Sequence, residues 1–210
     1  MKITLMTFGS RGDVQPFLAL AVALRGRGHS VRLAAPTDFE AQARAYDIPC
    51  TSIAFDVREM SERFASVRTA DRGVNPALLI AAWREVIPEI KRAFFSAAFT
   101  YAEAANDADL IISHGFLVPL AYSIRQHLQT PLMLGIAGPI ATTRMFPSPM
   151  FPSTPFGQRF YNPLTFKLLV RGVTTYMIAP VNNYRQQVGL PKLSAGKLNG
   201  ILLTRTFPCS

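Results

Sequence analysis

Residues 2–35, KITLMTFGSRGDVQPFLALAVALRGRGHSVRLAA, decide the fold. A β-prone run over residues 2–8 stops at Gly9, and the glycine-rich turn Gly9-Ser10-Arg11-Gly12-Asp13 follows it. From Pro16 to about Arg27 the apolar residues take helical spacing, with Phe17, Leu18, Leu20, Ala21 and Leu24 on one face. Gly28 ends that helix, and residues 30–35 read as a second strand. A short helix over residues 37–46 and a third strand from Pro49 to Phe55 complete the order β-loop-α-β-α-β. Strands that alternate with helices in this way form a parallel sheet covered on both faces. The expected class is therefore α/β, a Rossmann-like doubly wound parallel sheet with strand order 3-2-1-4-5.

Downstream, residues 56–73 are polar and charged and read as a mobile excursion. An alanine-rich helical pattern covers residues 76–106, with Pro88 as an expected kink or break. Asp109-Leu-Ile-Ile-Ser113 is a buried-type strand, residues 118–128 a helix, and residues 131–136 a fifth strand. Five prolines alternate with aromatic residues over 144–163, which reads as an apolar loop; a helix over 164–188 follows, stopped by Gly189 and Pro191. Residues 200–207 read as a last strand.

Bulk properties narrow the function. A 49% hydrophobic content with 15 Phe is ample for a core. The net charge of +9 invites anionic partners. The cations are scattered, however, and no zinc-finger or RNA-recognition signature is present, so nucleic acid is not an expected partner. Cys50 and Cys209 lie far apart and form no CxxC, so neither a disulfide framework nor a zinc site is indicated. The first apolar run is too short for a signal peptide, and no stretch reaches the length of a membrane span. The expectation is a cytoplasmic protein, either free or lying on a membrane surface.

In a parallel sheet, ligands bind beyond the carboxyl ends of the strands, where Gly9, Ser10, Arg11 and Gly12 fall. Glycines admit close backbone approach, and helix N-termini attract anions, so these four are the candidate phosphate-binding residues. The dinucleotide GxGxxG and the Walker GxxxxGK[ST] patterns are both absent, which weakens the case for a Rossmann-type oxidoreductase. Asp13 has two compatible readings, as a helix N-cap and as a general base at the crevice. In the 3-2-1-4-5 order the strand ending at Ser113-His114 neighbours the first, so Asp13 and His114 face one site. Either they pair, or His114 is a lone helix-capping histidine; their separation decides.

The stretch FGSRGDVQPFLALAVALRGRGHSVRLAAP resembles the N-terminus of sterol glucosyltransferases and the related antibiotic glycosyltransferases, which are inverting enzymes of the glycosyltransferase-B fold. The likeness continues through DLIISHGFLVPLAYSI, TTRMFPSPMFP and APVNNYRQQVGLP, nearly the whole chain. It implies that residues 1–210 are an N-terminal acceptor-binding domain whose C-terminal nucleotide-sugar domain is absent from this chain. It implies a donor such as a UDP- or dTDP-hexose, with no cofactor bound by this domain alone, and a sterol, lipid or polyketide-type acceptor. No metal is implied. In many relatives a histidine of the first loop deprotonates the acceptor; here the matching loop carries Asp13, with His114 as its expected companion. The family places acceptor walls around Leu79, Trp83 and Ile87, at Phe116, and in the loop containing Met145, Phe146 and Phe151, although helical spacing of the first three also suits simple core packing. Arg144, Arg159, Lys167 and Arg171 flank that loop and suit either a solvated basic face or peripheral contact with a membrane. A binding module without turnover is the alternative function.

Overall fold

The computed structural model describes residues 1–55, 57–58, 76–136, 142–148, 151, 153–154 and 157–203, without the side chains of 76–87, 89–90 and 201–203. Its elements are β1 (Lys2–Met6), α1 (Arg11–Gly26), β2 (Ser30–Pro36), α2 (Glu40–Ala45), β3 (Cys50–Ile53), α3 (Pro76–Ala104), β4 (Leu110–His114), α4 (Val118–Leu128), β5 (Leu132–Gly135), α5 (Gln158–Gln187) and α6 (Ala195–Leu203). All strand pairs are parallel and the sheet order is β3-β2-β1-β4-β5, the expected arrangement.

Strand alternation divides the core between the two sheet faces. Ile3, Leu5, Leu33, Ala35 and Ile112 point toward α1 and pack with its Val14, Phe17, Leu18 and Ala21. Met6, Ala34 and Ile111 point the other way, into a cluster with Phe94 and Tyr101 of α3, Leu120 and Ile124 of α4 and Met177 of α5. Thr4 also points to that second face, where its buried hydroxyl donates to the Ala104 carbonyl at 2.9 Å. Arg185, 2% exposed, ties α5 to α4: its guanidinium donates to the Pro191 carbonyl, Ser123 Oγ and Gln126 Oε1. Burial lowers its pKa from the ordinary value.

Several local expectations are corrected. Helix α1 begins at Arg11, five residues before Pro16, because Ser10 caps it and Asp13 reaches back to the Ser10 amide at 2.8 Å. Asp13 is thus the third residue of the helix and not its N-cap. Helix α3 runs through Pro88 without a break, carried by the Ala, Leu, Ile, Arg and Glu around it. Helix α5 takes up the last part of the Pro-rich loop and contains Pro163 and Pro180. Over residues 200–203 the expected last strand is instead the end of helix α6 (Ala195–Leu203), and residues 204–207 lie outside the described residues: Ser194 Oγ accepts from the Lys197 amide at 3.2 Å, and Leu198 is fully buried. The expected excursion at 56–73 lies outside the described residues apart from Val57 and Arg58. No helix among the described residues is long and apolar enough to cross a membrane.

The carboxyl end of β1 is pinned from α3, where the buried Tyr101 hydroxyl donates to the Thr7 carbonyl at 2.8 Å. Tyr101→Phe removes that donor and is expected to cost about 1–3 kcal/mol, read as a lowered urea midpoint with an unchanged denaturant slope.

Candidate functional site

The site grows from the exit of β1. Gly9 adopts φ +128°, a backbone state closed to ordinary side chains, and a Cβ there would fall 2.3 Å from Asp13 Oδ2. Only glycine lets the chain turn there while the carboxylate folds back over it. Gly12 differs: a Cβ would meet nothing closer than Ser10 Oγ at 3.8 Å.

Asp13 divides its two oxygens. Oδ2 accepts from the Ser10 amide at 2.8 Å and from the Ser10 hydroxyl at 3.1 Å. Oδ1 faces His114 Nε2 at 3.4 Å. The Asp13 carbonyl also accepts from the Thr7 hydroxyl at 3.2 Å, which locks the first helical turn to the strand it follows. A carboxylate in the first turn is further favoured by the helix dipole.

His114 closes β4 and shares the α1-facing side with Ile112, two residues earlier, which is why it meets Asp13. Its ring is 5% exposed, set edge-on to Phe17 at 5.7 Å and tilted against Phe116 at 5.5 Å. Nδ1 is buried with no hydrogen-bond partner. Burial lowers the His114 pKa below its ordinary 6.5, and the neighbouring Asp13 charge opposes that shift. The ring is therefore neutral at pH 7 and buried among apolar rings beside a carboxylate that is one-quarter exposed.

The sequence-derived candidates divide accordingly. Asp13, His114 and Phe116 come together with Gly9 and Ser10. The Ser10 amide is already committed to Asp13, which leaves the Arg11 and Gly12 amides at the helix start as the candidates for an anion. The Arg11 guanidinium folds along the helix, 3.0 Å from the Gln15 side-chain amide. Met145 stands 82% exposed, Phe146 packs edge-on against Phe166 at 6.4 Å, and Phe151 is half-buried, its amide donating to the Ser148 carbonyl. None of these three is in ring contact with His114 among the described residues. The side chains of Leu79, Trp83 and Ile87 lie outside the described residues. Among the described residues there is no group of three or more His, Cys, Asp or Glu suited to a metal.

Two site residues escape sequence reasoning. Phe17, four positions after Asp13, walls the histidine, and Gly135 makes room for it, since a Cβ there would lie 2.7 Å from the Phe17 ring. Gly135 pairs with His114 across β4 and β5, so the strand register was the only signal available.

A carboxylate in the first turn of α1 facing a buried histidine at the end of β4 is thus set on a Rossmann-like doubly wound parallel sheet. Residues 3–109 match the Glycosyltransferase family 28 N-terminal domain, and the chain belongs to that family. It is 29% identical over 199 residues to the sterol 3-beta-glucosyltransferase of Pichia angusta, covering 94% of this chain and 15% of that protein. It is 28% identical over 211 residues to the same-named protein of Emericella nidulans, covering 94% and 14%. The chain thus spans about 15% of the length of these curated relatives. Among solved structures, the glycosyltransferase VinC in complex with dTDP superposes with a TM-score of 0.52 at 14% identity, over 97% of this chain and 47% of that one. The spinosyn rhamnosyltransferase SpnG gives 0.52 at 14% identity, over 92% and 43%. These likenesses carry the fold, which is that of one half of a glycosyltransferase-B enzyme.

Two predictions follow from the site's geometry. Gly9→Ala combines a forbidden φ with a clash on Asp13 and is expected to cost about 1–3 kcal/mol, whereas Gly12→Ala leaves the urea midpoint unchanged or raises it. For His114 the folded pKa lies below the unfolded one, so its stability contribution is complete above pH 6.5 and is lost as pH falls toward the folded value. The His114→Gln protein should show a flatter stability curve than the parent as the pH falls below 6.5, measured by urea denaturation at each pH.

Proposed function

We propose that this domain is the acceptor-binding half of an inverting glycosyltransferase that moves a hexose from a nucleotide sugar to a hydroxyl of a lipophilic acceptor. The observation that carries the reading is the Asp13 carboxylate at the exit of β1, with Oδ2 held by Ser10 and Oδ1 turned to His114 at 3.4 Å. A carboxylate fixed through one oxygen presents the other in a defined direction, as general-base catalysis requires.

In this scheme the acceptor hydroxyl lies against Asp13 Oδ1. Its oxygen attacks the anomeric carbon of the sugar as the bond to the nucleoside diphosphate breaks on the opposite face, and its proton passes to Oδ1. Configuration inverts because a single in-line displacement occurs. Neutral His114 positions the carboxylate without neutralising it, and the apolar rings of Phe17 and Phe116 lower the local dielectric so that its orientation holds. The amides of Arg11 and Gly12 face the diphosphate when a second domain closes over this one. That domain supplies most of the donor site, so residues 1–210 alone bind acceptor without turnover. Phe116, Met145, Phe146 and Phe151, with Leu79, Trp83 and Ile87, form the walls for a sterol, lipid or polyketide-type aglycone. The donor is a UDP- or dTDP-hexose, and the protein works in the cytoplasm.

The test joins this domain to a nucleotide-sugar-binding partner domain and assays hexose transfer to sterols and macrolide aglycones. Asp13→Asn is expected to lower kcat by about 10²–10⁴-fold with the far-ultraviolet spectrum retained. Transfer that survives Asp13→Asn overturns the role of Asp13. Acceptor binding with no transfer in the parent two-domain protein points instead to a binding module.

A further inference from the structure

A histidine ring keeps its orientation through hydrogen bonds at its two nitrogens or through packing. Rotation about its Cβ–Cγ bond is soft, so one long contact at one nitrogen does not fix it. His114 has such a contact, from Nε2 to Asp13 Oδ1 at 3.4 Å. Its Nδ1 is buried and has no hydrogen-bond partner among the described residues. A proton there would be a buried donor without an acceptor, whereas a proton on Nε2 faces a carboxylate. The neutral ring therefore carries its proton on Nε2, and packing is left to hold it that way round. Phe17 meets the ring at 5.7 Å with the planes at 80°, and Phe116 meets it at 5.5 Å and 56°.

Phe17 is in turn fixed from both ends. Its ring is 3% exposed and packed among Val14, Leu18, Ala21 and Ile112. Its tip points at Gly135, where a Cβ would fall 2.7 Å from Cζ and 3.3 and 3.4 Å from the two Cε atoms. Carbon contacts settle at about 3.5–4.0 Å. Cζ lies on the axis about which the ring turns, so a ring flip leaves the overlap in place. Relief requires a new χ1 in a filled core or a displaced end of β5. Gly135 does not have a positive φ, so its backbone accepts other residues and only the Phe17 ring excludes a side chain there. Gly135 is also the register partner of His114, so a displacement of β5 at this point acts directly on the histidine.

We propose, resting on the role given to Asp13, that Gly135 and Phe17 are positioning residues for the transfer reaction. The missing side chain at 135 seats the Phe17 ring, that ring fixes the rotation of His114, and His114 directs Asp13 Oδ1. One lone pair of Oδ1 accepts from the histidine and the other stays aimed at the acceptor proton. A methyl group at 135 forces the Phe17 ring toward His114 or β5 away from it, and either movement turns the Nε2–H off its line to Oδ1. Small misplacements of this kind slow the chemical step more than they weaken binding.

The test has a spectroscopic and a kinetic arm. Imidazole nitrogen NMR of the 210-residue chain, at a pH well above the titration of His114, reports where the proton sits, with His114→Gln identifying the signals. The parent should show two widely separated His114 nitrogens, a protonated Nε2 and a bare Nδ1. In Gly135→Ala and in Phe17→Leu the two signals should approach each other as the ring samples both tautomers. Ile111→Val, in the core of the opposite sheet face, should lower the thermal midpoint without moving them. In the two-domain protein, each of the first two variants should lower kcat roughly 10- to 100-fold at an unchanged acceptor KM. Joining Gly135→Ala to Phe17→Leu relieves the overlap, so the thermal midpoint should recover from that of Gly135→Ala while kcat stays low. Unmoved nitrogen signals in both single variants would overturn the proposal, as would a kcat that recovers in step with the midpoint. A raised KM with kcat intact would overturn it too, and would place Gly135 in the acceptor wall. No transfer by the parent two-domain protein overturns the role of Asp13, whereas transfer in the parent with unmoved nitrogen signals in the variants overturns the positioning role alone.

Discussion

Strand β1 is hydrogen-bonded to parallel partners on both edges and covered by helices on both faces, and this enclosure governs the rest of the molecule. Where a strand so enclosed leaves the sheet at its carboxyl end, the backbone must find new partners at once. Three are provided within a few residues: the Thr7 amide donates to the Ala34 carbonyl, the Tyr101 hydroxyl donates to the Thr7 carbonyl, and the Thr7 hydroxyl donates to the Asp13 carbonyl. The turn at Gly9 is therefore tied to both helical layers, and the position of Asp13 follows from the satisfaction of backbone groups.

The same economy explains the character of the carboxylate. Oδ2 performs the structural task of closing the helix start, while Oδ1 turns to a histidine that burial keeps neutral. The chemistry assigned to Asp13 thus uses a group whose placement the fold requires anyway. Phe17 and Gly135 complete the arrangement: a bulky ring behind the histidine demands a missing side chain on the adjacent strand.

Much of the architecture was legible because it rests on short-range pattern. The strand order followed from alternating β and α segments, and α4 falls at residues 118–128 as read from its spacing. What escaped reading depends on bonds that composition does not encode. Gly12 argues against helix, yet the Asp13-to-Ser10 bond begins α1 there; Ile201-Leu202-Leu203 looks β-prone, yet the Ser194 cap and the buried Leu198 make it helical. At the site, Asp13 and His114 were found together because a topological rule sets the ends of neighbouring strands side by side. Phe17, Gly135 and Tyr101 were not, since their importance lies in register and in contacts between residues far apart in the chain.

The placing of acidic side chains along the chain governs how the molecule responds to protons. All thirteen Asp and Glu lie within residues 1–109, so acidification through the carboxylate range changes the charge of that half from balanced to strongly cationic. Residues 110–210 hold nine Lys and Arg and no acidic side chain. One half of the chain thus takes up protons at its acidic side chains, while the charge of the other half rests on Lys and Arg, which stay protonated across the same range.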